Sequence, residues 1–201
     1  MLSVQNLKSH HLVIPRLDIA HGECVVVQGA SGAGKSLLLR SIADLDVNDG
    51  EVSLDGQARR SISAFHWRLQ VMLVPAESGW WADRVGEHFL MDRPVDRLIA
   101  SLGLPDDVLD WEVARLSSGE RHRLGLARAL KLRPKIMLLD EPSAALDPVA
   151  TDRLESVLKN RLRDGCGLLL VTHDHEQAKR MADRTLVITD GQLAEPTEPA
   201  G

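Results

Sequence analysis

Glu23-Cys24-Val25-Val26-Val27-Gln28-Gly29-Ala30-Ser31-Gly32-Ala33-Gly34-Lys35-Ser36-Leu37-Leu38-Leu39 is the stretch that decides the fold. An apolar run, a glycine-rich turn and a second apolar run follow one another without a gap. Residues 29–36 match the pattern Gly-x4-Gly-Lys-Ser, and they sit between a strand (Glu23–Gln28) and a helix (Lys35–Ala43). Each residue type answers a physical need. Glycines let the backbone curl so that successive N–H groups point inward at phosphate oxygens. The helix start offers unpaired N–H groups and partial positive charge. Lys35 adds a full charge, and the Ser36 hydroxyl is a hard oxygen ligand for Mg²⁺.

A second segment completes this chemistry. Ile136-Met137-Leu138-Leu139 is an apolar run that ends in Asp140-Glu141. In a parallel sheet, ligands gather at the carboxyl ends of the strands. Asp140 is therefore expected beside the glycine-rich loop as a Mg²⁺ residue. Glu141 is expected where it can orient or deprotonate an attacking water.

Further short apolar runs cover Val71–Val74 and Gly167–Thr172. They are rich in Val, Leu and Ile and hardly alternate, as strands covered on both faces do. Helices are expected between them. Gly119–Lys131 follows a serine pair. Pro148–Arg163 has Asp147 as N-cap, Pro148 at its first position and Gly165 past its end. Asp174–Ala182 shows a capping-box pattern, Asp174 with Gln177. Alternating strands and helices predict an α/β fold with a mostly parallel sheet. Glu51–Leu54 with Asp55-Gly56, and Thr185–Thr189 with Asp190-Gly191, read as antiparallel additions. Ala76–Leu116 reads as helical pieces inserted in the core. The Pro-rich stretch 196–201 is expected to be disordered.

Composition narrows the partners. The 201 residues are 44% hydrophobic and 26% charged, the balance of a globular domain, and the net charge of −5 gives no electrostatic footprint for nucleic acid. No stretch approaches the ~20 apolar residues that span a bilayer. The two cysteines, Cys24 and Cys166, each border an apolar run and read as buried hydrophobes.

Leu116-Ser117-Ser118-Gly119-Glu120 then resembles the signature Leu-Ser-Gly-Gly-Gln of the ABC (ATP-binding cassette) ATPases. Pro142-Ser143-Ala144-Ala145-Leu146-Asp147 resembles their D-loop, Val171-Thr172-His173-Asp174 their switch histidine region, and Val71–Pro75 the strand into their Q-loop. The resemblance runs from Val4 to about Leu193. It implies a P-loop NTPase core over residues 1–195, with a helical subdomain at about 77–131. It also implies an ATP- and Mg²⁺-dependent ATPase that serves a separate integral membrane permease from the cytoplasmic face of a bacterial inner membrane. Two copies would pair head to tail around two ATP molecules. The implied catalytic residues are Glu141, His173 and Lys35, and the implied metal residues are Ser36 and Asp140. Nucleotide contacts would come from Gly29, Ala30, Ser31, Gly32, Ala33, Gly34, Lys35, Ser36 and Leu37 of one copy. The other copy would add Ser117, Ser118, Gly119 and Asp147. No nucleic-acid partner is expected.

The sequence also departs from that family. Ser118 replaces a glycine, Glu120 a glutamine, and Ala76 the Q-loop glutamine, with Glu77 beside it as a substitute carboxylate. No tyrosine exists to stack on adenine; His10 or His11 is the alternative. Trp80-Trp81 reads either as packing or as a platform for the permease. Two other functions stay open: an ABC-type ATPase of nucleic acids or ribosomes, and a nucleotide-gated module with little catalysis. The short cassette looks somewhat like bacterial export cassettes.

Overall fold

The computed structural model describes residues 1–89 and 94–195. The expected disorder of residues 196–201 lies outside the described residues. In chain order the strands are β1 (Leu2–Ser9), β2 (Leu12–Ile19), β3 (Cys24–Gln28), β4 (Asp49–Leu54), β5 (Gln57–Ala58), β6 (Val71–Val74), β7 (Ile136–Asp140), β8 (Gly167–Val171), β9 (Arg184–Thr189) and β10 (Gln192–Ala194). The α-helices are α1 (Lys35–Ile42), α2 (Ala64–Gln70), α3 (Asp96–Ser101), α4 (Ser118–Lys131), α5 (Pro148–Arg163) and α6 (His175–Met181). Among the described residues the strands join one sheet, in the order β5-β4-β1-β2-β10-β9-β3-β8-β7-β6.

The parallel half carries the site. β6, β7, β8, β3 and β9 pair in parallel, with Val74 beside Leu139, Asp140 beside Val171, and Val171 beside Val27. Side chains alternate across this sheet, and both faces are covered. Val25, Val27, Leu138, Leu169 and Val171 pack with Leu38, Leu39 and Ile42 of α1 and with Trp67 of α2. Cys24, Val26, Leu139, Leu168 and Leu170 pack on the opposite face with α4, α5 and α6. Two-faced burial explains why these strands read as unbroken apolar runs.

The expected helix ends hold at α5. Asp147 Oδ1 accepts from the Ala150 N–H at 2.9 Å, and Gly165 takes a positive φ beyond the last turn. At α6 only half of the expected capping box forms. Asp174 accepts from the Glu176 and Gln177 N–H groups, but the Gln177 side chain turns inward to Ser143 and Glu155.

The antiparallel reading needs two corrections. The Asp55-Gly56 hairpin does join β4 to β5. Thr185–Thr189, however, lies in β9, which pairs in parallel with β3 and antiparallel only with β10. The other is the β1–β2 hairpin, absent from the strands expected above, which pairs over seven positions. Its alternation is broken at Asn6, where φ is positive and the register against β4 shifts.

Candidate nucleotide site

β3 runs straight into the glycine-rich loop, and α1 leaves it. Gly34, with φ 106, occupies the N-cap of α1 and supplies no side-chain cap, so the first N–H groups of the helix stay available. Gly29, with φ 149, has no room for a side chain. A Cβ there would collide with the Ile188 carbonyl oxygen and come to 2.8 Å from Ile188 Cγ2. Lys35 is buried and folds back on its own loop, donating to the Gly29 and Ala30 carbonyls at 2.7 and 2.9 Å. Its ammonium is thus held at the mouth of the loop.

A cleft of about 370 Å³ opens over this loop. Ser31, Gly32, Gly34, Lys35, Ser36 and Leu37 line one side, and Asp140, Glu141 and His173 line the other. Of the remaining loop positions, Gly29 and Ala30 serve Lys35, and Ala33 packs on the core. The parallel register brings the two sides together, because the ends of β3, β7 and β8 are adjacent. Glu141 adopts left-handed backbone (φ 49), and its N–H donates to the Val171 carbonyl at 2.9 Å. That conformation costs a non-glycine residue about 1–3 kcal/mol. It brings the carboxylate to the switch segment. The His173 N–H donates to Glu141 Oε2 at 3.2 Å, and His173 Nε2 lies 3.2 Å from Glu141 Oε1. The second contact lacks hydrogen-bond alignment, so Oε1 is a buried acceptor without a hydrogen-bond partner.

The signature-like segment stands apart from this cleft in the same chain. Ser117 is the N-cap of α4, and Ser118 lines a separate cleft with Glu77 and His122. Gly119 backs onto the D-loop segment, where a Cβ would sit 3.0 Å from the Ala145 carbonyl oxygen. Ser118 has no positive φ, so the local backbone does not need a glycine. Asp147 spends a carboxylate oxygen on its helix cap.

At the Q-loop position, Ala76 lines the cleft over the glycine-rich loop, whereas Glu77 lines the separate cleft with Ser118. His11 lines the cleft against Gly34, whereas His10 does not.

Three contributions had no clear sequence signal. His122 is buried with Nε2 unpartnered, and burial pushes its pKa below the ordinary histidine value. His88 accepts from the Trp81 and Ala82 N–H groups, at 2.9 and 3.1 Å, and fixes the tryptophan turn. Buried Glu155 pairs with Arg180 at 2.7 Å and, with Gln177 and Ser143, ties α5 and α6 to the D-loop segment.

Trp81 is 70% exposed and Trp80 half-buried. Arg128 lies over both rings. Trp81 borders an apolar groove of about 600 Å³ with Met72, Val74, Pro75, Phe89 and Leu132.

A glycine-rich loop leaving one parallel strand, faced by an acidic pair from another, defines a P-loop NTPase of the α/β class. Comparison with known proteins narrows this. The family model described as ABC transporter matches residues 14–144, and the chain belongs to that family. It is 39% identical to the aliphatic sulfonates import ATP-binding protein SsuB of Cupriavidus necator, over 89% of this chain and 61% of that one. It is 32% identical to the glutamine transport ATP-binding protein GlnQ of Bacillus subtilis, over 100% of this chain and 91% of that one. The chain thus spans about 61% of the first relative's length. A solved structure of an ATP-binding subunit of an ABC transporter superposes with TM-score 0.88 at 25% identity, over 98% of this chain and 89% of that one. The dimeric cassette MJ0796 bound to ADP and Pi, 23% identical with TM-score 0.81, shares the fold over 99% of this chain and 100% of that one.

The contacts at Gly29 generate a stability prediction. Gly29→Ala meets a strained φ and a backbone clash and should cost about 1–3 kcal/mol. Gly32→Ala, whose Cβ meets nothing within 4 Å, should cost less. Urea unfolding of both variants checks the order; equal losses would contradict the geometry.

Proposed function

We propose that this chain is the ATP-binding and ATP-hydrolysing subunit of an ABC transporter, working on a separate membrane permease. The observation that carries the reading is the shared cleft of Lys35, Ser36, Asp140, Glu141 and His173. The chemistry is attack by water oxygen on the γ-phosphorus, with the bond to the β-phosphate oxygen breaking to leave ADP and phosphate. Residues 29–37 cradle the triphosphate with backbone N–H groups, and Lys35 leaves its loop carbonyls for phosphate oxygens. Glu141 Oε1, buried and unsatisfied, is the acceptor that orients the water and takes its proton. His173, against the same carboxylate, holds it and reaches the γ-phosphate.

Ser36 and Asp140 offer an alcohol and a carboxylate oxygen on facing walls of one cleft, a donor set that suits Mg²⁺. When bound there, the ion supplies charge neutralisation at the β- and γ-phosphates. Ser117, the Ser118 and Gly119 N–H groups, and Asp147 act on the ATP of a second copy, paired head to tail. Their separation from the cleft of their own chain supports this division. The domain covers residues 1–195, with its helical subdomain at about 77–131.

Among the described residues no helix is long and apolar enough to cross a membrane. The groove beside Trp81 is the permease's docking surface, since exposed tryptophan over an apolar cleft makes a strong anchor. The sequence relatives are named as import or transport ATP-binding proteins. They favour import over the export direction.

One observation favours a second reading, a nucleotide-gated module with slow turnover: Ala76 brings no polar side chain to the cleft. A phosphate-release assay separates the two. The wild type should turn over, and Glu141→Gln should lose at least about a hundredfold while still binding ATP. Equal, near-background rates in both proteins would favour the module. For docking, Trp81→Ala should abolish copurification with the coexpressed membrane permease while leaving soluble folding and ATP binding intact. Retained copurification would contradict the assignment of this groove.

A further inference from the structure

Ser117 and Glu120 form a closed pair at the start of α4. Glu120 Oε2 accepts from the Ser117 N–H at 2.9 Å and from the Ser117 hydroxyl at 2.8 Å. The Ser117 Oγ in turn accepts from the Glu120 N–H at 3.3 Å. A serine hydroxyl carries one proton, so the donor that would meet a γ-phosphate already serves a carboxylate. The carboxylate also sits where the helix end favours negative charge, the place an incoming phosphate would take. The Ser117 backbone and hydroxyl donors, with Arg123 and Arg115 nearby, hold the Glu120 carboxyl below the ordinary range, so it stays charged.

We infer that Glu120 is an internal competitor of the γ-phosphate for the Ser117 donors, and that it sets the ATP level at which two copies close. The inference rests on the reading that Ser117 meets the ATP of a second copy. Closure then requires Ser117 to leave Glu120, while two like charges approach one helix end. A glutamine at this position keeps the cap, because its amide oxygen accepts the same hydrogen bonds. It removes the charge that competes. Glu120 is therefore a positioning residue that raises the threshold for closure, and the Ser117 cap keeps the open state ordered.

The test uses the full chain carrying Glu141→Gln, so that ATP persists. Dimer formation is followed by sedimentation against ATP concentration, at low and high salt. Adding Glu120→Gln should lower the ATP midpoint about two- to fivefold, the range for one charge at a helix end. The gap should narrow at high salt, where exposed charges are screened. A change in cap geometry alone would not respond to salt in this way. Glu120→Ala, which removes the carboxylate but keeps the backbone N–H that Ser117 Oγ caps, should shift the midpoint in the same direction. An unchanged or raised midpoint with Glu120→Gln, or a gap insensitive to salt, would overturn the inference and leave the paired-cassette reading standing. If Glu141→Gln binds ATP yet stays monomeric, the paired-cassette reading itself falls, and the inference falls with it.

Discussion

The parallel register of β3, β8 and β7 is the constraint on which the rest depends. A loop rich in glycine can curl around phosphate, but it supplies neither a metal ligand nor an acceptor for a water proton. Those groups come from strands that are distant in sequence. With Val27 level with Val171, and Val171 level with Asp140, three strands end on one edge. Burial on both faces of the sheet makes a slip costly, because a one-residue shift would turn apolar side chains to the wrong face.

Much of this was legible in the sequence. Strands buried on both faces announce themselves as Val/Leu/Ile runs, and Asp147-Pro148 with Gly165 marks both ends of α5. The glycine-rich loop and the acidic pair could be read because their chemistry leaves few other residue choices. The β1–β2 hairpin was not legible. Asn6 breaks its alternation, and Pro15 is a residue that discourages a strand assignment. Helix α2 was not legible either; its Ser63 cap and the buried Trp67 are clear only once packed. The Asp190-Gly191 turn correctly marked a hairpin, yet a turn signal says nothing of the parallel partner on the other side of β9. Gln177 fits a capping pattern, but Ser143 and the buried Glu155 outcompete the cap for its side chain.

Polar groups of the cleft, and Ser117 at the start of α4, have internal partners. Lys35 is satisfied by its own loop, Glu141 receives a single aligned hydrogen bond from the His173 N–H, and Ser117 is satisfied by Glu120. Each arrangement limits the cost of leaving polar groups unpaired. Each also means that binding exchanges one set of partners for another. The free energy of ligand binding is reduced by what it takes to displace these internal partners.

The most direct measurement is a crystal structure with Mg²⁺ and a non-hydrolysable ATP analogue. The account predicts the triphosphate inside residues 29–36, with the metal about 2.1 Å from Ser36 Oγ and Asp140 in its surrounding shell. A triphosphate bound elsewhere, or a metal remote from both residues, would contradict it.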